Sequence, residues 1–310
     1  MAPTTVFSLL TVLAVAPVLY AQQLPLQNFA AGPSVPRTPG RILVSGFGSN
    51  SVHAYRAWDG SPRRRASPVA GAQSIVLGAD GLLYVCAEGI DQILRVDPET
   101  MSVLGPFVAD DPLTPADENG PLNGPTSATF GPAGDLFVAS FENDQVLRFD
   151  GQTGAYEGVF VAPGLGGLNG PDAGTKFGPD GLLYVPSFWN DRVLRYDSTG
   201  QFVDEFVAFR EGNLRRPRDL VFHAGHWYVA SSSTGRILRF DAAGNFIDNF
   251  ATVNQPYSLA FHPMNQDLYV VSLSDNGVYR IDGRTGTVLA AAVTSGSGGL
   301  SGSVYVFFLP

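Results

Sequence analysis

Cysteine is almost absent: Cys86 is the single one in 310 residues. That excludes an internal disulfide framework and a cysteine-based zinc finger. Cys86 lies in an apolar strand with no histidine beside it, so it reads as a buried, inert thiol. Lysine is as scarce, with Lys176 alone among 19 basic residues. Against 28 acidic residues the formal net charge is −9. The cationic excess needed for sequence-independent binding to nucleic acid is therefore missing. No run of 11 or more residues repeats its apolar positions at helical spacing. No stretch reaches the roughly 20 apolar residues that span a bilayer. Neither a Gly-x-Ser-x-Gly elbow nor a phosphate-binding loop followed by a helix is present.

What is present begins with a short apolar run at residues 6–19, which ends at Tyr20-Ala21 and turns polar at Gln22-Gln23. This is the form of a secretory signal peptide over residues 1–21, and a secreted chain is expected. Residues 22–40 are proline-rich and read as an extended lead-in. From residue 41 to 310 one unit recurs. Its second and third strands align without gaps: ILVSGFGSNSVHAYR from Ile42, LYVCAEGIDQILRVD from Leu83, LFVASFENDQVLRFD from Leu136, LYVPSFWNDRVLRYD from Leu183, WYVASSSTGRILRFD from Trp227 and LYVVSLSDNGVYRID from Leu268. The position held by Leu43, Tyr84, Phe137, Tyr184, Tyr228 and Tyr269 steps by 41, 53, 47, 44 and 41 residues. Such a period, with about four strands per unit, predicts an all-β, six-bladed β-propeller. The first unit lacks its first strand, and an orphan strand follows Ser303. The C-terminal strand is thus expected to join blade one and close the ring, removing exposed sheet edges.

The units FGPAGDLFVASFENDQVLRFDGQTG and FGPDGLLYVPSFWNDRVLRYDSTG resemble NHL-repeat and virginiamycin-B-lyase-like propellers. The resemblance covers about residues 41–310. Relatives of this kind include streptogramin lyases, gluconolactonase-like metal hydrolases and pure binding domains, so it implies a fold and leaves the function open. In the lyases the site uses histidines and a glutamate near the channel. Here His223, His226 and His262 fall in the turns at the other end of the first strands, and His53 in a third strand. In the gluconolactonase-like family a Glu, two Asn and an Asp hold a divalent cation. Asn123, Asn169 and Asp219 match three of these, which leaves a hard cation such as calcium as the one cofactor to consider. The glutamate has no counterpart.

In a propeller the heads of the innermost strands surround one mouth of the channel. Gln73, Thr126, Asp172, Arg218 with Asp219, and Tyr257 stand at these heads and differ from blade to blade on an otherwise uniform scaffold. They are the candidate ligand-binding residues. The expected function is binding of a small molecule, a glycan or a protein there, by a monomer. The alternative is a lyase, cyclase or lactonase-like hydrolase acting at the same place. Two further features are unassigned: an acidic loop carrying Asp110, Asp111, Asp117 and Glu118, and the basic run Arg63-Arg64-Arg65. The Arg-x-Asp pairs recur too often to be catalytic and read as structural.

Overall fold

A computed structural model describes residues 40–109 and 122–309. The expected signal peptide, nearly all of the expected lead-in and the acidic loop lie outside the described residues. The chain forms six four-stranded antiparallel sheets. Blade one contains β1 (Arg41–Gly46), β2 (Ser51–Arg56) and β3 (Pro62–Ala66), and blade two β4 (Ala72–Leu77), β5 (Leu83–Ala87), β6 (Gln92–Val96) and β7 (Val103–Val108). Blade three contains β8 (Pro125–Phe130), β9 (Leu136–Ser140), β10 (Gln145–Phe149) and β11 (Tyr156–Val161). Blade four has β12 (Lys176–Phe177), β13 (Leu183–Ser187), β14 (Arg192–Tyr196) and β15 (Phe202–Val207). Blade five has β16 (Pro217–His223), β17 (His226–Ser231), β18 (Arg236–Phe240) and β19 (Phe246–Thr252). Blade six has β20 (Pro256–Phe261), β21 (Leu268–Ser272), β22 (Gly277–Ile281) and β23 (Val288–Val293). The last strand, β24 (Ser303–Leu309), is the inner strand of blade one, paired antiparallel with β1 from Arg41↔Leu309 to Gly46↔Ser303. The ring is closed as the missing first strand implied.

Strand alternation explains the packing. On β5, Leu83 and Val85 point toward blade one and Tyr84 and Cys86 toward blade three. Successive side chains leave opposite faces of a strand, so one apolar strand serves two interfaces. Buried side chains accordingly form a cluster at each of the six blade interfaces among the described residues. Burial pushes the Cys86 thiol up to about 12, as expected of an inert cysteine.

The repeated polar residues have local duties. Asp80 and Asp180 in the Gly-x-Asp-Gly turns accept hydrogen bonds from the hydroxyls of Tyr84 and Tyr184, both at 2.9 Å. The aspartate of each Arg-x-Asp accepts backbone N–H groups of the next turn, as Asp150 does from Gln152 and Thr153. In blades three to five its arginine crosses to the outer strand: Arg148 to Glu157 at 2.7 Å, Arg195 to Asp204 at 2.6 Å, and Arg239 to Asp248.

Gly200, at φ +81°, ends the turn between β14 and β15, and a Cβ there would strike the Phe160 carbonyl of blade three. Gly154, Gly244 and Gly286 abut the preceding blade in the same way. Gly200→Ala combines left-handed strain with a clash against backbone. It is expected to lower stability by about 1–3 kcal/mol in urea unfolding.

Candidate functional site

The residue following the first position of each inner strand defines the mouth. Proline holds that first position in blades three to six, at Pro125, Pro171, Pro217 and Pro256. In blade four the strand is interrupted. Pro171 bridges Ser187, and regular pairing resumes only at Lys176↔Tyr184. Residues 172–175 therefore bulge where two residues suffice on β13, and Asp172 sits at the start of this bulge, fully buried.

Asp172 accepts the Ala173 N–H at 2.7 Å and the Arg218 Nη1 at 2.8 Å. The same Nη1 donates to the Tyr257 hydroxyl at 3.1 Å. The guanidinium lies between two rings, 4.1 Å from the Phe188 centroid and 4.3 Å from that of Tyr257. The Tyr257 hydroxyl donates to Gln73 Oε1 at 3.2 Å, and the Gln73 amide donates to the Glu88 carboxylate. One chain of polar contacts thus runs Asp172–Arg218–Tyr257–Gln73–Glu88. It passes from blade four through blades five and six to blade two, bypassing the blade-one position.

The electrostatics follow from burial. Desolvation raises the Asp172 carboxyl above the usual aspartate range, with Arg218 acting in the opposite direction. Desolvation also raises Glu88, against the pull of its Gln73 hydrogen bond. Arg218 Nε is buried without a partner among the described residues. Its Nη1 makes both hydrogen bonds, and Nη2 donates to no described protein group. The mouth is bordered by aromatic rings. Trp189, 53% exposed, packs against Phe188 and Phe141 with centroids 4.7 and 6.3 Å apart, and Arg216 lies 5.1 Å from its ring.

Of the six candidate residues, Gln73, Asp172, Arg218 and Tyr257 come together. Thr126 does not join them; its hydroxyl donates to the Pro171 carbonyl at 2.9 Å and ties blade three to blade four. Asp219 also has a tying role. It occupies the position of Ser74, Ser127 and Ser258, whose hydroxyls contact the neighbouring inner strand. Its carboxylate accepts Lys176 Nζ at 2.8 Å, Leu220 N–H at 2.7 Å, Ser258 hydroxyl at 3.0 Å and Leu259 N–H at 2.9 Å.

The residues considered for a cation are not drawn together by any contact. Asn123 and Asn169 place their backbones against the Ser140 and Ser187 hydroxyls at 2.9 Å. Gly124 and Gly170 of the two Asn-Gly-Pro turns donate to Asp91 and Asp144 of the preceding blade. Arg216 of Arg215-Arg216-Pro217 does the same to Asp191 at 2.9 Å. The turn therefore docks one blade on the last. Among the described residues no group of three His, Cys, Asp or Glu is arranged to hold a metal.

Two mouth residues, Glu88 and Phe188, escape a reading confined to strand heads. They directly follow the second strands. Their column in the gap-free alignment holds Phe47, Glu88, Phe141, Phe188, Ser232 and Leu273, and Glu88 is its single charged member.

No protein-family model and no curated protein matches the sequence. Solved structures do. A chain in the crystal structure of a nidogen/laminin complex is similar at a TM-score of 0.66 and 13% identity, covering 87% of this chain and 98% of that one. A protein of unknown function from Bacteroides caccae gives 0.64 and 13%, covering 88% and 99%. Virginiamycin B lyase from Staphylococcus aureus gives 0.57 and 15%, covering 81% and 80%. At these identities the likeness is one of fold: the chain is a six-bladed β-propeller of the kind shared by these proteins.

Proposed function

We propose that the channel mouth binds a small molecule or glycan bearing a carboxylate, in a protein taken to be secreted. The observation that carries this reading is Arg218. Its guanidinium is held between Phe188 and Tyr257 and pinned through Nη1, while Nη2 is uncommitted among the described residues. A pre-oriented guanidinium loses little freedom on binding and offers directed N–H groups to a carboxylate. Trp189 and Phe141 supply flat apolar surface beside it, suited to a sugar face or an apolar ring. A charge-assisted hydrogen bond of this type contributes about 1.5–3 kcal/mol.

The test is a glycan array presenting uronic-acid-terminated oligosaccharides beside their neutral counterparts. The parent protein is expected to prefer the acidic members. The double variant Arg218→Gln with Asp172→Asn, which removes both charges together, should lose that preference by about tenfold or more while remaining folded by thermal melt. Equal binding of neutral and acidic members would refute the reading.

An enzymatic reading rests on Glu88. Its half-buried carboxyl is raised by desolvation and lies at the same mouth, and a raised carboxyl suits a general acid better than an ordinary one. The lyase among the similar structures supports considering it. Turnover abolished by Glu88→Gln, with binding retained, would favour this reading.

A further inference from the structure

The strongest departure from the repeat lies on the outer side of blade one, away from the channel. In blades three, four and five the third strand carries an arginine that pairs with an outer-strand carboxylate: Arg148 with Glu157, Arg195 with Asp204, Arg239 with Asp248. In blade one the position of that arginine is held by Ala54, and that of Leu147 by His53. The outer strand β3 reads Pro-Arg-Arg-Arg-Ala, and its first four residues are exposed. The countercharge has been removed from the third strand and the sign reversed on the outer one.

The register explains how three consecutive arginines share one region. His53 pairs with Arg65 and Tyr55 with Pro62, so Arg63 and Arg64 both oppose Ala54 across a bulge. A bulge sets two residues against one and re-aims their side chains. The result is a cleft of about 220 Å³ lined by His53, Ala54, Pro62, Arg63, Arg64, Arg65 and Gly298. Gly298 keeps it open: a Cβ there would lie 2.9 Å from Pro62 Cβ and 3.9 Å from His53 Nδ1. His53 Nε2 is engaged by the Ser51 and Ser49 hydroxyls at 2.8 and 3.0 Å, which fixes the ring with Nδ1 toward Gly298. No carboxylate lines the cleft, and none of the three arginines has an ion-pair partner among the described residues. Arg64 alone donates outward, to the Glu99 carbonyl at 3.1 Å.

We propose that this cleft is a second binding site, separate from the channel mouth, for a phosphate- or sulfate-ester group. Three guanidinium groups without an ion-pair partner among the described residues, in a chain of net charge −9, favour a concentrated anion over a diffuse field. Each guanidinium presents a planar fork matched to a tetrahedral oxyanion. His53 adds a neutral donor or acceptor, since burial first and Arg65 second push it down to about 4. The small apolar floor of Ala54, Pro62 and Gly298 leaves room for the carbon skeleton that bears the ester.

The test uses isothermal titration with two probes, inorganic phosphate and a sulfated disaccharide, against the full chain. Saturable binding of either probe is expected, weakening as salt is added. Binding of phosphate alone would identify a phosphate ester as the natural source, and binding of the disaccharide alone a sulfated sugar. The variant Arg63→Ala with Arg65→Ala changes two exposed side chains and should weaken binding at least tenfold. Arg284→Ala, a basic residue elsewhere on the surface, should leave it unchanged, and so should the double variant at Arg218 and Asp172. No saturation with either probe would overturn the proposal. So would equal binding by the arginine variant, or equal loss in the Arg284→Ala control.

Discussion

Removing residues 303–310 is expected to abolish the cooperative unfolding transition and to leave an aggregating chain. The segment supplies the whole inner strand of blade one, with Ser303, Val304, Val306 and Leu309 buried. Its loss would uncover Ile42, Leu43 and Val44 on β1, all fully buried in the intact ring. It would also expose the hydrogen-bonding edge of β1 and break both flanking contacts, since β24 packs against β4 and β20. Unpaired apolar strands are templates for intermolecular pairing. Size-exclusion chromatography together with calorimetry checks this outcome. A monomeric product melting like the full chain would show that closure by β24 is not what holds the ring.

The second large effect is expected at Arg218. Arg218→Met leaves the fully buried Asp172 with only the Ala173 N–H, and a buried pair broken on one side typically costs about 3–5 kcal/mol. The dependence on pH has a definite sign. Desolvation already raises Asp172 in the folded state, so the folded chain binds its proton at a higher pH than the unfolded chain does. Stability from this group therefore falls as pH rises through the interval between the two values. Without Arg218 the folded-state value moves higher and the interval widens upward. The deficit of the variant should be largest near neutral pH and shrink on acidification. Adding Asp172→Asn should recover most of the loss. Urea unfolding of the parent, the single and the double variant at about pH 7 and about pH 4 measures all three statements. A pH-independent deficit would point to lost ring packing against Phe188 and Tyr257 instead.

The buried pairing of Arg218 with Asp172 was not legible in the sequence, which offered each only as a residue at the head of an inner strand. The blades themselves were readable because each repeats the same local solution. An apolar second strand alternates between two interfaces, and an aspartate closes each turn. The orphan strand after Ser303 was readable because one blade came up a strand short. The site was readable only in part. Heads of inner strands can be found by aligning repeats, which picks out Gln73, Asp172, Arg218 and Tyr257 but also Thr126 and Asp219. Nothing local separates a side chain that faces the mouth from one that clips a neighbouring strand. The contact between Tyr257 and Gln73 spans 184 residues and skips a blade, so only ring geometry creates it. Glu88 was missed because it follows a second strand, although it stands out in its column.

The pairing of β1 with β24 has a mechanical side. Arg41 lies opposite Leu309, so the two ends of the propeller leave the same end of one antiparallel ladder. Tension applied between those ends would load the ladder one hydrogen bond at a time, from Arg41↔Leu309 inward, and not all bonds together in shear. The junction on which ring closure depends is therefore also the place where a pull would peel the molecule open. In forced unfolding the rate is set by such a local step, independent of the equilibrium stability of the closed ring. A form of this protein tethered at both termini would therefore open first at the junction of β1 with β24.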